Sequence, residues 1–216
     1  GKNGVNFSGY KNMVGVFNQP EWVICDMELL KTLPRREVLS GFAEIIKHGA
    51  IGDAEMVGFL ESRADRALAL DPDVIERLVY DSVVIKAAIV NRDEREVGER
   101  RKLNFGHTFG HAVEKVARIP HGEAVSIGMA VAARLSVQKG LLSPDRAGRI
   151  PALIDRYGLP SRLKVDPGDA IDALRRDKKR EGDRINFVLL RDVGDAVVRE
   201  IPLKELEAAV YELCED

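Results

Sequence analysis

The sequence predicts a mainly α-helical protein with a few short strands near both ends. Apolar side chains recur at helical spacing through most of the chain after Pro34. Aspartate, proline and glycine stand where helices of that period would begin and end. Apolar runs short enough for strands occur only near the two termini.

The first 33 residues are predicted to hold the N-terminal strands. Gly1–Tyr10 is rich in glycine and polar residues, which favours a loop. Met13–Phe17 and Trp22–Cys25 are short apolar runs on either side of Asn18-Gln19-Pro20. This pattern predicts two short strands around a turn.

Eight helices are predicted after this region. Asp53 and Asp71, the latter before Pro72, are typical first residues of helices, and Gly140 and Gly158 are typical of helix ends. The segments are Pro34 through Ile46, about Ala54–Arg66, Pro72 through Ile89, Thr108–Val116, Glu123–Lys139, Asp145–Tyr157, Gly168–Arg176 and Leu203–Cys214.

A β-hairpin is predicted before the last helix. Ile185–Leu190 and Ala196–Ile201 are apolar-rich and flank the turn residues Val193-Gly194-Asp195.

Composition narrows the function classes. Of 216 residues, 45% are hydrophobic and 31% charged, which is typical of a soluble globular protein. The net charge of -2 gives no reason to expect nucleic-acid binding. No apolar run approaches the ~20 residues of a membrane span, and no signal peptide begins the chain. Cys25 and Cys214 lie far apart, which favours reduced thiols in a cytoplasmic protein.

Three of the four histidines fall within fifteen residues: His107, His111 and His121. His107 and His111 share one face if their segment is helical. Imidazole binds Zn²⁺ well, and a catalytic zinc needs three protein ligands and an open position. Histidines so spaced are more often surface or packing residues, but the neighbouring Gly106 and Gly110 favour a tight polar site.

Glu44 is the candidate carboxylate ligand. It lies in an apolar helical stretch, and Lys47 follows it on nearly the same face. The pair is either a simple ion pair within the helix or a metal ligand beside a lysine that holds substrate.

Cationic residues occur at several places along the chain, and a substrate with both phosphate and carboxylate groups would need several such cations together. Each charged run by itself is more often a solvated face. The candidates are Lys2, Lys11 and Asn12 near the N-terminus, Lys86 in an apolar helix, Arg100-Arg101-Lys102, and Asp177-Lys178-Lys179-Arg180.

Taken in order, these segments resemble the 3-dehydroquinate synthase family. The combination is specific, although no single piece is. The matching stretches are Gly1-Lys2, Lys11-Asn12, Gln19-Pro20, Thr32-Leu33-Pro34, Gly41 through Lys47, Asp93-Glu94-Arg95-Glu96, Arg100, Leu103 through Ala112, His121 through Val125 and Asp177-Lys178-Lys179.

The resemblance implies the multi-helical C-terminal domain of the dehydroquinate synthase-like fold. It implies Zn²⁺ or Co²⁺ held by Glu44, His107 and His121. The implied catalytic residues are Lys47, Lys86, Glu96, Arg100, Asn104 and His111. Substrate would also contact Lys2, Asn12 and one of Lys178 and Lys179. NAD would contact Lys2, Lys11, Leu29, Leu30, Lys31 and Thr32.

The implied activity is that of a lyase in the shikimate pathway of aromatic amino acid biosynthesis. It converts 3-deoxy-D-arabino-heptulosonate 7-phosphate to 3-dehydroquinate and phosphate, with NAD regenerated in each turnover and a homodimer as the expected assembly. Residues 1–33 would be the end of an NAD-binding α/β region and a linker, and residues 34–216 a helical metal- and substrate-binding domain. We expect the chain to be a C-terminal fragment that is inactive by itself.

Three alternatives remain. The first is another sugar phosphate cyclase, against which Arg100, Asn104 and Asp177-Lys178-Lys179 favour a carboxylate-bearing substrate. The second is a metal-dependent alcohol dehydrogenase of related fold, which would lack this lysine-rich pocket. The third is a non-catalytic module that binds metal or phosphate.

Overall fold

The computed structural model describes residues 2–8, 10–162, 166–175, 180–181 and 184–215. Most of these residues are helical, as the sequence predicts, and strands lie near the two ends. The elements in chain order are β1 (Lys2–Phe7), β2 (Tyr10–Phe17), a 3₁₀ helix (Met27–Thr32), α1 (Arg35–Gly52), α2 (Ala54–Leu68), α3 (Pro72–Arg92), a second 3₁₀ helix (Glu99–Asn104), α4 (His107–Ala117), α5 (His121–Gln138), α6 (Pro144–Arg156), α7 (Pro167–Arg175), β3 (Arg180–Glu181), β4 (Arg184–Asp192), β5 (Asp195–Pro202) and α8 (Leu203–Glu215).

The predicted helices are confirmed over the described residues, and so are their capping residues; Arg176, the predicted end of one helix, lies outside the described residues. The Asp53 carboxylate accepts hydrogen bonds from the first backbone amides of α2, at 2.8 and 3.2 Å. Asp71 caps α3 by accepting from the Val74 amide at 3.3 Å. Gly140 and Gly158 follow α5 and α6 with φ of 67° and 70°, a left-handed conformation that glycine adopts without strain.

The N-terminal prediction is wrong in two places. Lys2–Phe7 is not a loop but strand β1, which pairs antiparallel with β2 so that Gly4 lies opposite Gly15. Trp22–Cys25 has no regular secondary structure and belongs to no strand among the described residues. Pairing with a neighbour decides whether an extended segment becomes a strand, and among the described residues β2 finds that neighbour in β1.

The predicted C-terminal hairpin is confirmed as β4 and β5, with Leu189 opposite Val197 and Gly194 in the turn at φ 87°. The Leu190 amide donates to the Ser136 hydroxyl of α5 at 2.9 Å. The Gly194 amide donates to the Ala50 carbonyl of α1 at 2.9 Å. The hairpin is thereby fastened to the two helices that form the centre of the protein.

Helix α5 lies at the centre of the core. Its side chains are buried on almost every face, including Val125, Met129 and Leu135. Helices α1, α4 and α6 and strand β4 all pack against it. A helix that is apolar all round is expected to be enclosed in this way. Among the described residues, no helix is both long and apolar enough to cross a membrane.

Candidate metal centre

Glycines at the start of α4 and in the first half of α5 bring three helices unusually close together. A Cβ atom on Gly128 of α5 would lie 1.9 Å from the Gly106 carbonyl oxygen, at the start of α4. A Cβ atom on Gly122 of α5 would lie 2.3 Å from the Ser40 Cα of α1. Only glycine permits such backbone contacts. The helices that carry the two histidines and the glutamate therefore meet at one point.

Glu44, His107 and His121 converge at this point. Glu44 Oε1 lies 3.3 Å from His107 Nε2 and 3.7 Å from His121 Nε2. One ligand atom from each residue lies within 4.8 Å of the others. Three electron-pair donors at this separation can surround a single metal ion.

The other nitrogen of each ring has its own acceptor. His107 Nδ1 donates to the Phe105 carbonyl at 3.1 Å, and His121 Nδ1 donates to Glu114 Oε2 at 3.1 Å. Both acceptors lack a hydrogen to give, so we assign the proton of each neutral ring to Nδ1. Both Nε2 lone pairs are then available on the side that faces Glu44, which is the arrangement typical of metal-binding histidines.

Glu44 Oε1 is buried and accepts no hydrogen bond from any described residue. Its partner oxygen, Oε2, accepts from the Lys47 ammonium at 2.6 Å. Burial by itself would raise the pKa of Glu44, but hydrogen bonding by His107 and His121 when their Nε2 atoms carry a proton, together with the charge of Lys47, holds that pKa far below its usual range. An ionised oxygen without a hydrogen bond, facing two imidazole lone pairs, fits a borderline cation such as Zn²⁺.

Lys47 and His48 form a buried layer behind the carboxylate. Lys47 is only 4% exposed, and burial lowers its pKa while the charge of Glu44 opposes that change. His48 Nδ1 is hydrogen-bonded to the Ser82 hydroxyl, and its Nε2 has no hydrogen-bond partner among the described residues. Burial, reinforced by the charge of Lys47, lowers the pKa of His48 to about 3. His48 is therefore neutral near pH 7.

A cavity of about 580 Å³ opens beside the three converging residues and is lined in part by Glu44, Glu114, Arg118 and His121. His111 stands one turn after His107 on α4, and its ring centre lies 5.4 Å from that of His107 and 5.9 Å from that of His121. The site therefore has an open side, which a catalytic metal requires for substrate.

The predicted site residues after α3 are held by a compact loop. Asn104 Nδ2 donates to Glu96 Oε1 at 2.8 Å, and Glu96 itself has a left-handed φ of 61°. The Arg100 guanidinium donates to the Glu94 carbonyl. Asp93 organises the turn by accepting from three backbone amides, including that of Arg100 at 3.0 Å.

Lys86 projects from α3 and is exposed. Its charge adds to the burial that lowers the pKa values of Lys47 and His48. The structure thus brings Lys86 into the electrostatic neighbourhood of the centre, although it forms no ion pair with a described residue.

The predicted NAD and phosphate contacts are brought together least. Leu29 is exposed, Leu30 is half-buried, and Lys31 is paired with Glu28 at 2.7 Å. The Thr32 hydroxyl donates to the Leu29 carbonyl. Lys2, Lys11 and Asn12 lie on the β1–β2 hairpin with side chains outside the description, and Lys178 and Lys179 lie wholly outside the described residues.

Two residues of the site were missed at the level of sequence. Glu114 supports the His121 ring, and its position three residues after His111 on one helix face was the available signal. Asp93 belongs to a stretch that carries the family resemblance, but its role as a backbone acceptor needed the folded loop to be visible.

Comparison with known proteins shows the family to which this chain is similar. The family profile for the 3-dehydroquinate synthase C-terminal region matches residues 41–180, and the profile for the N-terminal region matches residues 1–40. A 3-dehydroquinate synthase of Dehalococcoides mccartyi is 46% identical over 98% of this chain and 60% of its own length. One from Acidithiobacillus ferrooxidans is 46% identical over 94% of this chain and 57% of its own length. The chain thus spans about 60% of the length of such relatives.

Solved structures show the same fold. The 2-epi-5-epi-valiolone synthase of Streptomyces hygroscopicus, solved with NAD⁺ and Zn²⁺ bound, aligns with a TM-score of 0.86 at 30% identity, covering 99% of this chain and 61% of that one. A 2-deoxy-scyllo-inosose synthase, solved with carbaglucose-6-phosphate, NAD⁺ and Co²⁺, aligns with a TM-score of 0.85 at 26% identity, covering 98% of this chain and 62% of that one.

Proposed function

This chain belongs to the 3-dehydroquinate synthase family, and we propose that it supplies the metal- and substrate-binding part of such an enzyme. The reaction converts 3-deoxy-D-arabino-heptulosonate 7-phosphate to 3-dehydroquinate and phosphate. The observation that carries the proposal is the convergence of Glu44, His107 and His121, with a buried carboxylate oxygen that faces both Nε2 atoms.

The proposed division of labour has the same order as the two family profiles, which meet at residues 40 and 41. Residues 1–33 are the end of an NAD-binding α/β region and its linker, and residues 34–216 are the helical domain that binds metal and substrate. Glu44, His107 and His121 hold Zn²⁺ or Co²⁺. When bound, the metal supplies a Lewis acid that polarises substrate oxygens.

The surrounding side chains bind and orient the substrate. Lys47 keeps Glu44 ionised and presents a buried ammonium to the site. Lys86, Arg100 and Asn104 supply the cations and the amide donor for the carboxylate and phosphate groups, and His111 faces the same space as the two metal-binding rings. Glu96 holds Asn104 in place. Such fixed polar groups accelerate reactions by orientation and electrostatics.

The remaining contacts rest on the resemblance. We propose Lys2, Asn12 and one of Lys178 and Lys179 as substrate contacts. Lys2, Lys11 and the segment 29–32 are the proposed contacts of NAD, which supplies a reversible hydride acceptor when bound. The NAD⁺ in two structurally similar cyclases supports this cofactor. A cytoplasmic location and a homodimer are further proposals, the latter testable by analytical ultracentrifugation.

Metal analysis is the first test. We expect the metal-free chain to bind one Zn²⁺ per molecule, and the Glu44→Ala and His107→Ala variants to lose that binding. Tight zinc binding that survives both substitutions would contradict the proposed ligands. Lys115→Ala, an exposed change on α4, is the matched control and should bind like the wild type.

Activity is the second test. The chain by itself and a chimera that adds the N-terminal region of the D. mccartyi relative are assayed for phosphate release with zinc and NAD⁺. We expect turnover from the chimera and none from the chain alone. A chimera that binds zinc and NAD⁺ but releases no phosphate would favour the non-catalytic module.

A second candidate is a cyclase for another sugar phosphate, since the two solved neighbours above act in that class. Arg100 and Asn104 favour the carboxylate-bearing substrate. Glucose 6-phosphate, assayed beside the heptulosonate phosphate, separates the two reactions, and net NADH formation from a simple polyol would instead indicate a dehydrogenase. Preference for glucose 6-phosphate would overturn our choice.

A further inference from the structure

Glu114 lies on α4 and reaches across to the first residue of α5. Its Oε2 atom is 3.1 Å from His121 Nδ1, and its side chain is only 20% exposed. Neither the sequence pattern nor the family resemblance assigned it a role. Its position next to a metal-binding ring calls for an explanation.

Two groups of residues could hold an ion here, and they share His121. One is Glu44, His107 and His121, and the other is His111, Glu114 and His121. The hydrogen bond from His121 Nδ1 occupies a Glu114 oxygen, whereas Glu44 Oε1 has no hydrogen bond from a described residue. The Glu44 oxygen without a hydrogen bond marks the first group as the ion site. Glu114 is then the hydrogen-bond partner of the His121 ring.

The two metal-binding rings differ in what holds them. His107 is 12% exposed, and the Phe105 carbonyl of its own chain segment fixes its Nδ1. His121 is 40% exposed and begins its helix, so the surrounding core restricts it far less. Glu114 performs for the exposed ring what a backbone carbonyl performs for the buried one.

We propose that Glu114 is a positioning residue that holds His121 with its Nε2 lone pair directed at the metal. The inference rests on the metal centre proposed above. Helix α4 then contributes one ligand directly, through His107, and orients another on α5. Outer partners of this kind typically change metal affinity about 10- to 100-fold when removed.

The test compares zinc affinities by chelator competition in the wild type, Glu114→Ala, Glu114→Gln and Glu123→Ala. The Glu123→Ala substitution is the matched control, because it removes a carboxylate two residues from His121. The Glu123 side chain makes no hydrogen bond or ion pair with a described residue. We expect Glu114→Ala to bind zinc about 10- to 100-fold more weakly. Glu114→Gln, which keeps an acceptor oxygen, should lose less, and Glu123→Ala should stay within about twofold.

Two further readouts separate positioning from a general loss of structure. Urea midpoints of the metal-free variants should match the wild type, and the visible spectrum of the Co²⁺ form should change in Glu114→Ala but not in Glu123→Ala. The inference fails if Glu114→Ala binds zinc with the affinity of the wild type while His107→Ala has lost zinc binding. It also fails if the wild type binds two ions and Glu114→Ala one, because Glu114 would then be a ligand. A wild type that binds no zinc overturns the metal centre itself.

Discussion

The N-terminal arm, residues 2–8 and 10–33, and the helical body, the described residues from 34 onward, use similar side chains with opposite results. In the arm, Phe17, Trp22 and Ile24 are 75%, 84% and 87% exposed. In the body, Phe42 and Phe109 are 2% and 0% exposed. Apolar composition therefore shows that a segment needs burial, but not that it has found it.

The difference follows from geometry. An amphipathic helix has one apolar face, and the body has several helices to enclose that face. A two-stranded hairpin has two faces, and Met13 and Val14, which are neighbours, put apolar side chains on both. Two strands by themselves are marginally stable in water. Contiguous exposed apolar surface of this kind is typical of interaction sites.

The largest expected effect comes from a matched pair of phenylalanines. Phe109→Ala removes a fully buried ring from the body and should lower the free energy of unfolding by about 3–5 kcal/mol. Phe17→Ala in the arm should change it by less than about 0.5 kcal/mol. Urea denaturation measures both. Equal losses would show that the arm shares the body's cooperative core.

A pair of glycines sharpens the comparison. Gly128→Ala pushes a methyl group into the Gly106 carbonyl, and we expect a loss of about 3 kcal/mol together with weaker zinc binding, because α4 and α5 must separate. In the arm, a Cβ on Gly15 would lie 1.6 Å from the Asn3 carbonyl. Gly15→Ala should disturb the hairpin and leave the urea midpoint of the body unchanged. A zinc affinity unaffected by Gly128→Ala would contradict the role given to this contact.

Zinc should stabilise the helical body and not the N-terminal arm. At a free concentration of about 100 times Kd, a ligand that binds only the folded state adds about 2.7 kcal/mol. We expect this increment in the wild type and in Phe17→Ala, and none in His107→Ala. Thermal unfolding with and without zinc measures it, and an equal shift in His107→Ala would indicate binding elsewhere.

The smallest effect concerns pH. All four histidines belong to the body. The pKa of His48 in the folded protein, about 3, is below its value in the unfolded chain. The contribution of neutral His48 to the free energy of unfolding is therefore complete above about pH 6.5 and is lost as the pH falls toward 3. Between about pH 7 and about pH 5.5 the expected loss in metal-free protein is about 1 kcal/mol.

His48→Asn provides the control for that loss. It removes the titration and keeps a donor for Ser82. The pKa of His121 is raised, mainly by its contact with Glu44, so its protonation acts in the opposite direction in both proteins. The difference between the two pH profiles isolates His48. Parallel profiles would show that His48 does not titrate as described.

The body was predictable because its signals are local. Helical spacing and caps such as Asp53 and Asp71 lie within a few residues of the structure that they specify. The strand at Lys2–Phe7 was not predictable in this way, since its residues favour a loop and only the β2 partner makes them a strand. Trp22–Cys25 shows the converse, with strand-forming residues that have no strand partner in the described part of the chain.

The same distinction between local signals and contacts with distant residues applies to the candidate site. Glu44, His107 and His121 were proposed from residue types and family resemblance before the fold brought them together. Glu114 and the His48–Ser82 pair depend on contacts between helices, which spacing along one helix does not reveal. Backbone roles such as that of Asp93 also need the folded loop.

The short connection between α4 and α5 has a consequence for the order of assembly. Only Arg118–Pro120 separate the two helices, so His107 and His121 are neighbours in a single helical hairpin. Local contacts of this kind form early in folding, whereas Glu44 must arrive from across a much longer chain loop. We therefore expect the two imidazoles to be in place before the carboxylate docks, so that an ion captured by the nascent hairpin would draw α1 into position.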